Sequence, residues 1–575
     1  MSRMPDYLRM VWRALLVLCL LTLLPAAALA AKISDIWVAG AIPQVIQDQA
    51  GAKTLPPDAI HWWYSERSEE YYLFLPSGAD TSRLQLWYEA TEQSITIDGK
   101  TLRSGDEADL LIPGTKYTVT CGNKSYPLTV MQSKNVPAMF IQTESGSLKS
   151  IHASRDNKET GFLSMLNADG SMEYVGKLTQ MKGRGHSSFA NAKKPYQIKL
   201  DKSTDLCGMG KAKTWVLLAD YEDNSLLRNK VAYALAEAVG LAYTSKTCTV
   251  DVYINNSYYG TYLLCEKVEI GDNRIGIHDL GKATEKENDK PLESYHTYNA
   301  DSYRYGKSKG FQIPNNPQDI TGGYLLELEK PDRYRPEVSG FATSRGQPIV
   351  IKEPEYVSRE QADYILTYMQ GFENAIFSKN GVDPESGKRY SEFVDMDSLS
   401  KKYVMEEISK NFDANRSSLY FYKPSDSEST VAFAGPVWDY DNAFGNFSNE
   451  RTRTLKLPTG FSANSDRGEN YYWFPALYRK KDFYAAAVKT YHEQFVPALR
   501  ILLGQEKSSG NGLRSIQEYA AELEATAAMN FIRWPVFNSP SRQVKTGKDY
   551  AENISYLENF ISGRMAFLSE NWPLQ

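Results

Sequence analysis

Asn411-Phe412-Asp413-Ala414-Asn415-Arg416, a short predicted hairpin, and then Trp438-Asp439-Tyr440-Asp441-Asn442-Ala443-Phe444-Gly445 form the stretch on which the reading of this chain turns. The first segment follows a predicted helix over 396–409, and the second follows the second hairpin strand. Carboxylates therefore stand at both ends of one β-hairpin. Taken singly, an Asp just past a helix most often caps or turns the chain. Taken singly, Trp-Asp-Tyr-Asp reads as a solvated turn after a buried strand. What lies upstream decides whether the two loops share a site.

Working back from that stretch, the parts come in a definite order. Gly183-Arg184-Gly185-His186-Ser187-Ser188 is a Gly-flanked polar loop. Glycine lets backbone N–H groups approach and face an anion. Lys193-Lys194-Pro195-Tyr196-Gln197-Ile198-Lys199-Leu200 predicts a strand with Tyr196, Ile198 and Leu200 on one face and Gln197 and Lys199 on the other. A Lys there serves phosphates as a point charge. Leu227, Val231, Ala234, Leu235 and Ala238 recur at helical spacing, which predicts a helix over 225–239 with Asp223-Asn224-Ser225 at its start and Gly240 at its end. A β-hairpin over 250–266 follows, then predicted helices over 359–377 and 396–409, and then the two acidic loops. The segment from Asp272 to about Gln318, polar and rich in Tyr, Asn and Lys, reads as an insertion or mobile loop.

Lys182-Gly183-Arg184-Gly185-His186-Ser187-Ser188, Lys193-Lys194-Pro195-Tyr196, Trp215 with Asp223 to Asn229, Tyr259-Gly260-Thr261-Tyr262 with Glu266, and Trp438-Asp439-Tyr440-Asp441 with Phe444-Gly445 resemble the CotH-type secretory kinases, a family named for a spore-coat protein. The resemblance runs from about Phe140 to the C-terminus. It implies an α+β, atypical protein-kinase-like fold, ATP with Mg²⁺ or Mn²⁺ as cofactors, and transfer of a phosphoryl group to Ser or Thr of an exported protein substrate. It also implies roles. Asp413 resembles the catalytic-loop Asp, and Asp439 or Asp441 the metal-binding Asp, with Asp441 slightly favoured. Lys199 is the choice for the phosphate-contacting Lys, with Lys194 competing. Arg184 and Ser187 belong to the phosphate loop, and Arg228 is carried as a nucleotide-side residue although an ion-pairing role suits it as well. Glu266 sits where the adenine-contacting hinge is expected. One departure stands out: the Asn that kinases place five residues after the catalytic Asp is here Ser418. A hydroxyl is a weaker Mg²⁺ ligand than an amide carbonyl, so Asn415 is taken as the substitute metal ligand, with Asn442 as another.

The rest of the sequence bounds these expectations. Arg3, Arg9 and Arg13, an apolar run over 14–24 and Ala26-Ala27-Ala28-Leu29-Ala30 predict a signal peptide over 1–30 and a secreted protein, with cell-surface or coat association a further expectation. Its removal takes away three Arg and one Asp and moves the net charge from −5 to −7. A mildly acidic chain without a basic block argues against nucleic-acid partners, and no second run of spanning length argues against stable membrane insertion after cleavage. Cys121, Cys207, Cys248 and Cys265 form no C-x-x-C pair, and the six His show no paired spacing, so a zinc centre is not expected. Residues 31–136 predict a small all-β sandwich, from alternating strands such as Leu84 to Tyr88 and Tyr117 to Thr120 with turns at Asp98-Gly99 and Pro113-Gly114. Residues 139–575 are expected to form the kinase-like domain, mainly helical from about 450 onward. Two rival readings are a catalytically inactive kinase-fold surface or coat protein, and a secreted carbohydrate-active or carbohydrate-binding protein.

Overall fold

The computed structural model describes residues 33–42, 58–447, 453–508, 510, 512–537 and 546–574. The expected signal peptide lies outside these residues. Among them, no helix is long and apolar enough to cross a membrane. The protein mixes helices with several sheets, as an α+β chain should.

The chain divides into two compact units. The first holds residues 1–142 and takes in two later segments, 164–172 and 253–259. It is built from short strands that alternate buried and exposed residues, such as Lys116–Cys121 and Gln85–Ala90. Lys116–Cys121 pairs antiparallel with Lys124–Gln132, which runs parallel to Glu70–Leu75. Ile33–Ala39 pairs with Gln85–Ala90. The strands foreseen over 71–130 are all present, but the unit is not sequence-contiguous, because parts of the later hairpin and of residues 164–172 complete it.

The second unit holds the remaining chain, 143–163, 173–252 and 260–575. Met172–Gly183 pairs antiparallel with Tyr196–Asp205, and that strand pairs with Lys211–Leu218. Lys211–Leu218 also pairs with the end of Ser257–Glu266, placing Trp215 opposite Glu266. A second sheet orders Thr297–Tyr298, Lys307–Phe311, Gly340–Ala342, Pro348–Glu353, Tyr324–Leu328, Leu419–Lys423 and Phe433–Ala434. The last two strands are the hairpin between the acidic loops.

Helices pack on this frame by their apolar faces. Arg359–Phe377 starts at a capping box in which Ser358 and Gln361 satisfy each other's backbone N–H. Ala362, Ile365, Met369, Phe372 and Ile376 are buried at spacings of three and four. Each large apolar side chain so buried contributes about 1.5–3 kcal/mol. Met396–Ser409 is capped by Asp395 and stops at Lys410, whose φ of 46° is left-handed. The Lys410 ammonium then donates to the carbonyls of Thr454, Leu457 and Thr459 at 2.9, 3.0 and 2.7 Å. The final helix, Tyr550–Asn571, inserts Arg564 beside them. That guanidinium donates to the carbonyls of Pro458 and Gly460, both at 2.8 Å, and to Glu407 Oε1 at 3.0 Å. Glu407 in turn accepts from the N–H groups of Ser462 and Ala463.

The segment from Asp272 to Gln318 corrects the expectation of a mobile loop. It contains a helix, Leu280–Lys286, and two strands, Thr297–Tyr298 and Lys307–Phe311, that enter the second sheet. Leu280, Leu292, Tyr298, Phe311 and Ile313 within it are buried. Widely spaced anchors hold a segment whose average composition is polar.

Candidate active site

A cleft of about 360 Å³ in the second unit gathers side chains from both sheets. The Gly-flanked loop lines it with Arg184, His186 and Ser187, the acidic loops with Asp413, Asp439, Asp441 and Asn442, and the second sheet with Glu327, Glu329 and Lys352.

The first acidic loop shapes itself locally. Asn411 Oδ1 accepts from the Asp413 N–H at 3.0 Å, and the Asp413 carbonyl accepts from the N–H groups of Arg416 and Ser417 at 2.8 and 3.1 Å. This turn faces the Asp413 carboxylate into the cleft, where Oδ1 is buried with no hydrogen-bond partner among the described residues.

The second acidic loop is held by one buried ring and several remote contacts. Tyr440 is fully buried, and its hydroxyl donates to Glu406 Oε1 at 2.5 Å, beside Lys402, whose ammonium pairs with the same carboxylate at 2.7 Å. The Tyr440 N–H donates to Asn229 Oδ1 at 2.7 Å, and the Phe444 N–H donates to the Ser409 carbonyl at 2.7 Å. With Tyr440 drawn into the core, its neighbours Asp439 and Asp441 line the cleft. Asp439 takes a φ of 68°, a left-handed conformation uncommon outside glycine. Such strain is held where surrounding structure over-determines it, often at functional sites.

The carboxylates crowd one another. Burial, then Asp413, raises Asp439 above the ordinary carboxylate range, while Arg184 and Arg333 oppose the rise. Burial, then Asp439, Asp220 and Asp413, raises Asp441 well above it. Burial, then Asp223, pushes Asp220 up to about 7 against the Asn229 amide and the Lys193 charge. Clustered carboxylates in a cleft mark a functional-site candidate, because a cation there relieves their repulsion.

Against them stand two uncommitted cations. The Arg184 guanidinium lies over the Trp438 ring, 5.2 Å from its centroid, and makes no hydrogen bond among the described residues. Lys182, opposite Gln197 in the sheet, lines the same cleft without an ion pair among the described residues. Burial, then the charges of Lys158 and Lys267, lowers its pKa.

Other expected site residues fall elsewhere. Lys199 is exposed and does not line the cleft. It shares a strand face with Gln197, which does, but two residues further on it stands about 7 Å along the strand. Lys182 is the lysine in register with Gln197, and it lines the cleft where Lys199 does not. Lys194 is spent on its own loop, donating to the Phe189 and Asn191 carbonyls at 2.6 and 3.2 Å. Arg228 is fully buried, paired with Asp223, and donates from Nε to the Ala443 carbonyl at 3.2 Å. It braces the second acidic loop and does not line the cleft. Asn415 donates to the Ala463 carbonyl at 2.8 Å and accepts from the Phe474 N–H at 3.0 Å. With both ends of its amide occupied, it too lies outside the cleft lining. Glu266 pairs with Arg274 at 2.5 Å and lines a separate cavity of about 300 Å³. Ser418 does line the main cleft, and its hydroxyl donates to Asp439 Oδ2 at 3.4 Å.

Sequence reasoning missed Asp220, Glu327, Glu329 and Arg333, all of which line the cleft. Glu327 and Glu329 alternate along Tyr324–Leu328 and its end, a signal of a shared face. Nothing in the sequence shows that this face meets Asp439.

Among the described residues, no three His, Cys, Asp or Glu side chains form a ready-made metal cage. Mg²⁺ seldom needs one, since one or two carboxylates plus substrate phosphates hold it. Asp439 and Asp441, crowded and facing the cleft, fit that requirement.

A cleft with opposed carboxylates and free cations, in an α+β unit, has the polarity for binding a phosphorylated ligand through a cation. The CotH kinase protein family matches residues 181–568, most of the chain, and the chain belongs to that family. The family points to a kinase-like, phosphotransferase function, which in general employs ATP and a divalent metal. No curated protein matches. Among solved structures, the chain has a likeness to "a putative glycoside hydrolase" from Bacteroides thetaiotaomicron, at 13% identity over 59% of this chain and 87% of that one, with a TM-score of 0.13.

Proposed function

We propose that this protein is an exported phosphotransferase that moves the γ-phosphoryl group of ATP to Ser or Thr of an exported or cell-surface protein. The observation that carries this reading is the meeting of Asp413, Asp439 and Asp441 with Lys182 and Arg184 in one cleft. ATP with Mg²⁺ or Mn²⁺ supplies the transferable group and the charge that offsets it. Asp413, with a free carboxylate oxygen, orients the acceptor hydroxyl and takes its proton. Asp439 and Asp441 hold the cation. Lys182 and Arg184 bind phosphate oxygens, and Ser187 in the Gly-flanked loop contributes a hydroxyl. Positioning and charge neutralisation then carry most of the rate enhancement.

The test is incubation of the purified mature protein with γ-labelled ATP, Mg²⁺ or Mn²⁺, and a Ser/Thr-rich acceptor. Label on the acceptor or on the protein itself, lost in Asp413→Asn, is expected. Absence of both nucleotide binding and transfer overturns the reading. Ser418, in place of the kinase Asn, favours a second reading of an inactive, nucleotide-binding scaffold. Nucleotide-dependent thermal stabilisation without transfer selects that one.

A further inference from the structure

Away from the cleft, we infer that Cys207 and Cys248 are a disulfide-forming pair, which an oxidising medium closes into a bridge between the turn over 206–210 and the strand Thr247–Ile254. The fold brings these two segments together. The turn joins Tyr196–Asp205 to Lys211–Leu218, and its Met209 and Gly210 line the same cavity of about 300 Å³ as Leu241, Thr244, Ser245 and Lys246, which lead into Thr247–Ile254. Cys207 stands just before the first wall and Cys248 just after the second. Where they meet, the two thiols hydrogen-bond to each other, and Lys230 of the helix Arg228–Ala238 faces both sulfurs. The Lys230 ammonium is fixed there, donating to Thr249 Oγ1 at 3.3 Å, one residue from Cys248. The hydrogen bond with Cys248, then burial, raises the Cys207 thiol above its ordinary value.

The turn is pinned. Cys207 takes a φ of 55°, left-handed for a residue with a Cβ. Its N–H donates to Glu173 Oε1 at 2.5 Å, the Gly210 N–H to Asp205 Oδ1 at 3.0 Å and the Met209 N–H to the Leu206 carbonyl at 3.1 Å. Surrounding contacts thus hold a strained residue against its neighbour across the fold. Exposure separates this pair from the other cysteines: Cys121 and Cys265 are fully buried, while Cys207 and Cys248 keep part of their surface. A small disulfide such as oxidised glutathione therefore reaches this pair and not the other two. One protein thiolate attacks a sulfur of the oxidant and releases one glutathione thiol. The second protein thiol gives up its proton and displaces the other glutathione from the mixed disulfide. Two S–H bonds give way to one S–S bond, and the oxidant leaves as two thiols. An exported chain meets such oxidants, whereas a cytosol keeps the pair reduced. The closed loop would enclose the helix Arg228–Ala238, whose Arg228 and Asn229 hold the second acidic loop. Constraining the unfolded chain in this way stabilises the folded one.

The experiment treats the folded, reduced mature chain with excess oxidised glutathione, alkylates the remaining thiols in denaturant, and maps the peptides by mass spectrometry. The four thiols of Cys121, Cys207, Cys248 and Cys265 should fall to two, with the Cys207 and Cys248 peptides joined and lighter by two hydrogens. The oxidised protein should melt a few degrees above the same protein in dithiothreitol, and in Cys207→Ser that difference should vanish. If Cys207→Ser folds poorly, Cys248→Ala serves the same comparison, and the peptide map of the parent decides without either variant. Four thiols still free after oxidation, a bridge between any other two cysteines, or glutathione left on Cys207 or Cys248 without a link overturns the inference. Linked peptides whose formation lowers the melting temperature mark a bridge forced against the fold, and overturn it as well. The readout uses no nucleotide, so failure of the phosphotransferase reading leaves this result untouched.

Discussion

The loop after Ser409 turns on its own backbone around Asp413 and is tied to residues 454–474, whereas the loop after Val437 is held from more than two hundred residues away. In the first, Asn411, Asp413, Arg416 and Ser417 bond to one another within six residues, and Arg416 stacks on Phe412 at 4.4 Å. In the second, Tyr440 hangs on Asn229, 211 residues away, and Ala443 on Arg228, 215 residues away. The first loop presents a carboxylate with a free oxygen. The second presents two carboxylates that repel each other and need outside support to stay together. A base can be placed by a turn, while a crowded anionic pair has to be braced by the rest of the unit.

That contrast can be broken or sharpened by substitution. The largest effect is expected at the first loop, where Asp413→Asn should reduce phosphoryl transfer about 10²–10⁴-fold. Its melting temperature should stay within a few degrees of the parent. Transfer rate and thermal melt measured together check this, and a variant within tenfold of the parent removes Asp413 from the chemistry. The braced loop should fail by stability instead. Arg228→Met leaves Asp223 buried without its guanidinium, and denaturant unfolding should show a loss of about 3–5 kcal/mol. Arg416→Met, in the local loop, should cost less than about 1 kcal/mol. Equal losses at the two arginines would erase the distinction.

A smaller effect separates the two lysines. Lys182→Met should weaken nucleotide binding about tenfold, or ~1.4 kcal/mol. Lys199→Met should leave it within twofold. Isothermal titration with ADP decides, and the reverse order would return the phosphate role to Lys199.

A further effect lies away from both loops and depends on pH. Burial pushes Glu353 up to about 7 from an ordinary 4.5, against Lys267 and the Ile270 N–H. The folded carboxyl therefore keeps its proton where the unfolded one has released it. Its contribution is fully present below about pH 4.5 and is lost as pH rises through 7. Glu353→Gln should gain about 1–2 kcal/mol on the parent between pH 5 and 8, after allowance for solvent screening. Urea midpoints across that range test it, and a constant difference with pH would refute it.

Much of the fold was legible because its signals are local. The helices expected over 359–377 and 396–409 appear at those residues, since caps and apolar spacing sit within each segment. The helix expected over 225–239 begins later, at Arg228, because Asp223 and Ser225 form a buried turn with Arg228 before it. The site was legible in part. Asp413, Asp439, Asp441, Arg184 and Ser187 do come together in the cleft. Lys199 was placed on the correct strand face but too far along it. Lys182 was quoted at the head of the Gly-flanked motif but given no role, and Glu329 and Arg333 could not be found, because cross-strand register and sheet-to-sheet approach decide their position. Asn415 was out of reach for a related reason: its amide, next to Asp413 in sequence, is spent on Ala463 and Phe474 outside the cleft.

Arg564 gives the chain an order of assembly. Its guanidinium is the last clasp on Glu407 and on the Pro458 and Gly460 carbonyls, and it is supplied by the final helix. During synthesis the two acidic loops precede it by 151 residues at Asp413 and 123 at Asp441, and until it arrives Glu407 lacks its buried partner. A nascent chain therefore carries every residue of the cleft before Glu407 gains its ion-pair partner. Stop codons placed just ahead of residue 564 should yield a protein that proteases clear, rather than a slower enzyme.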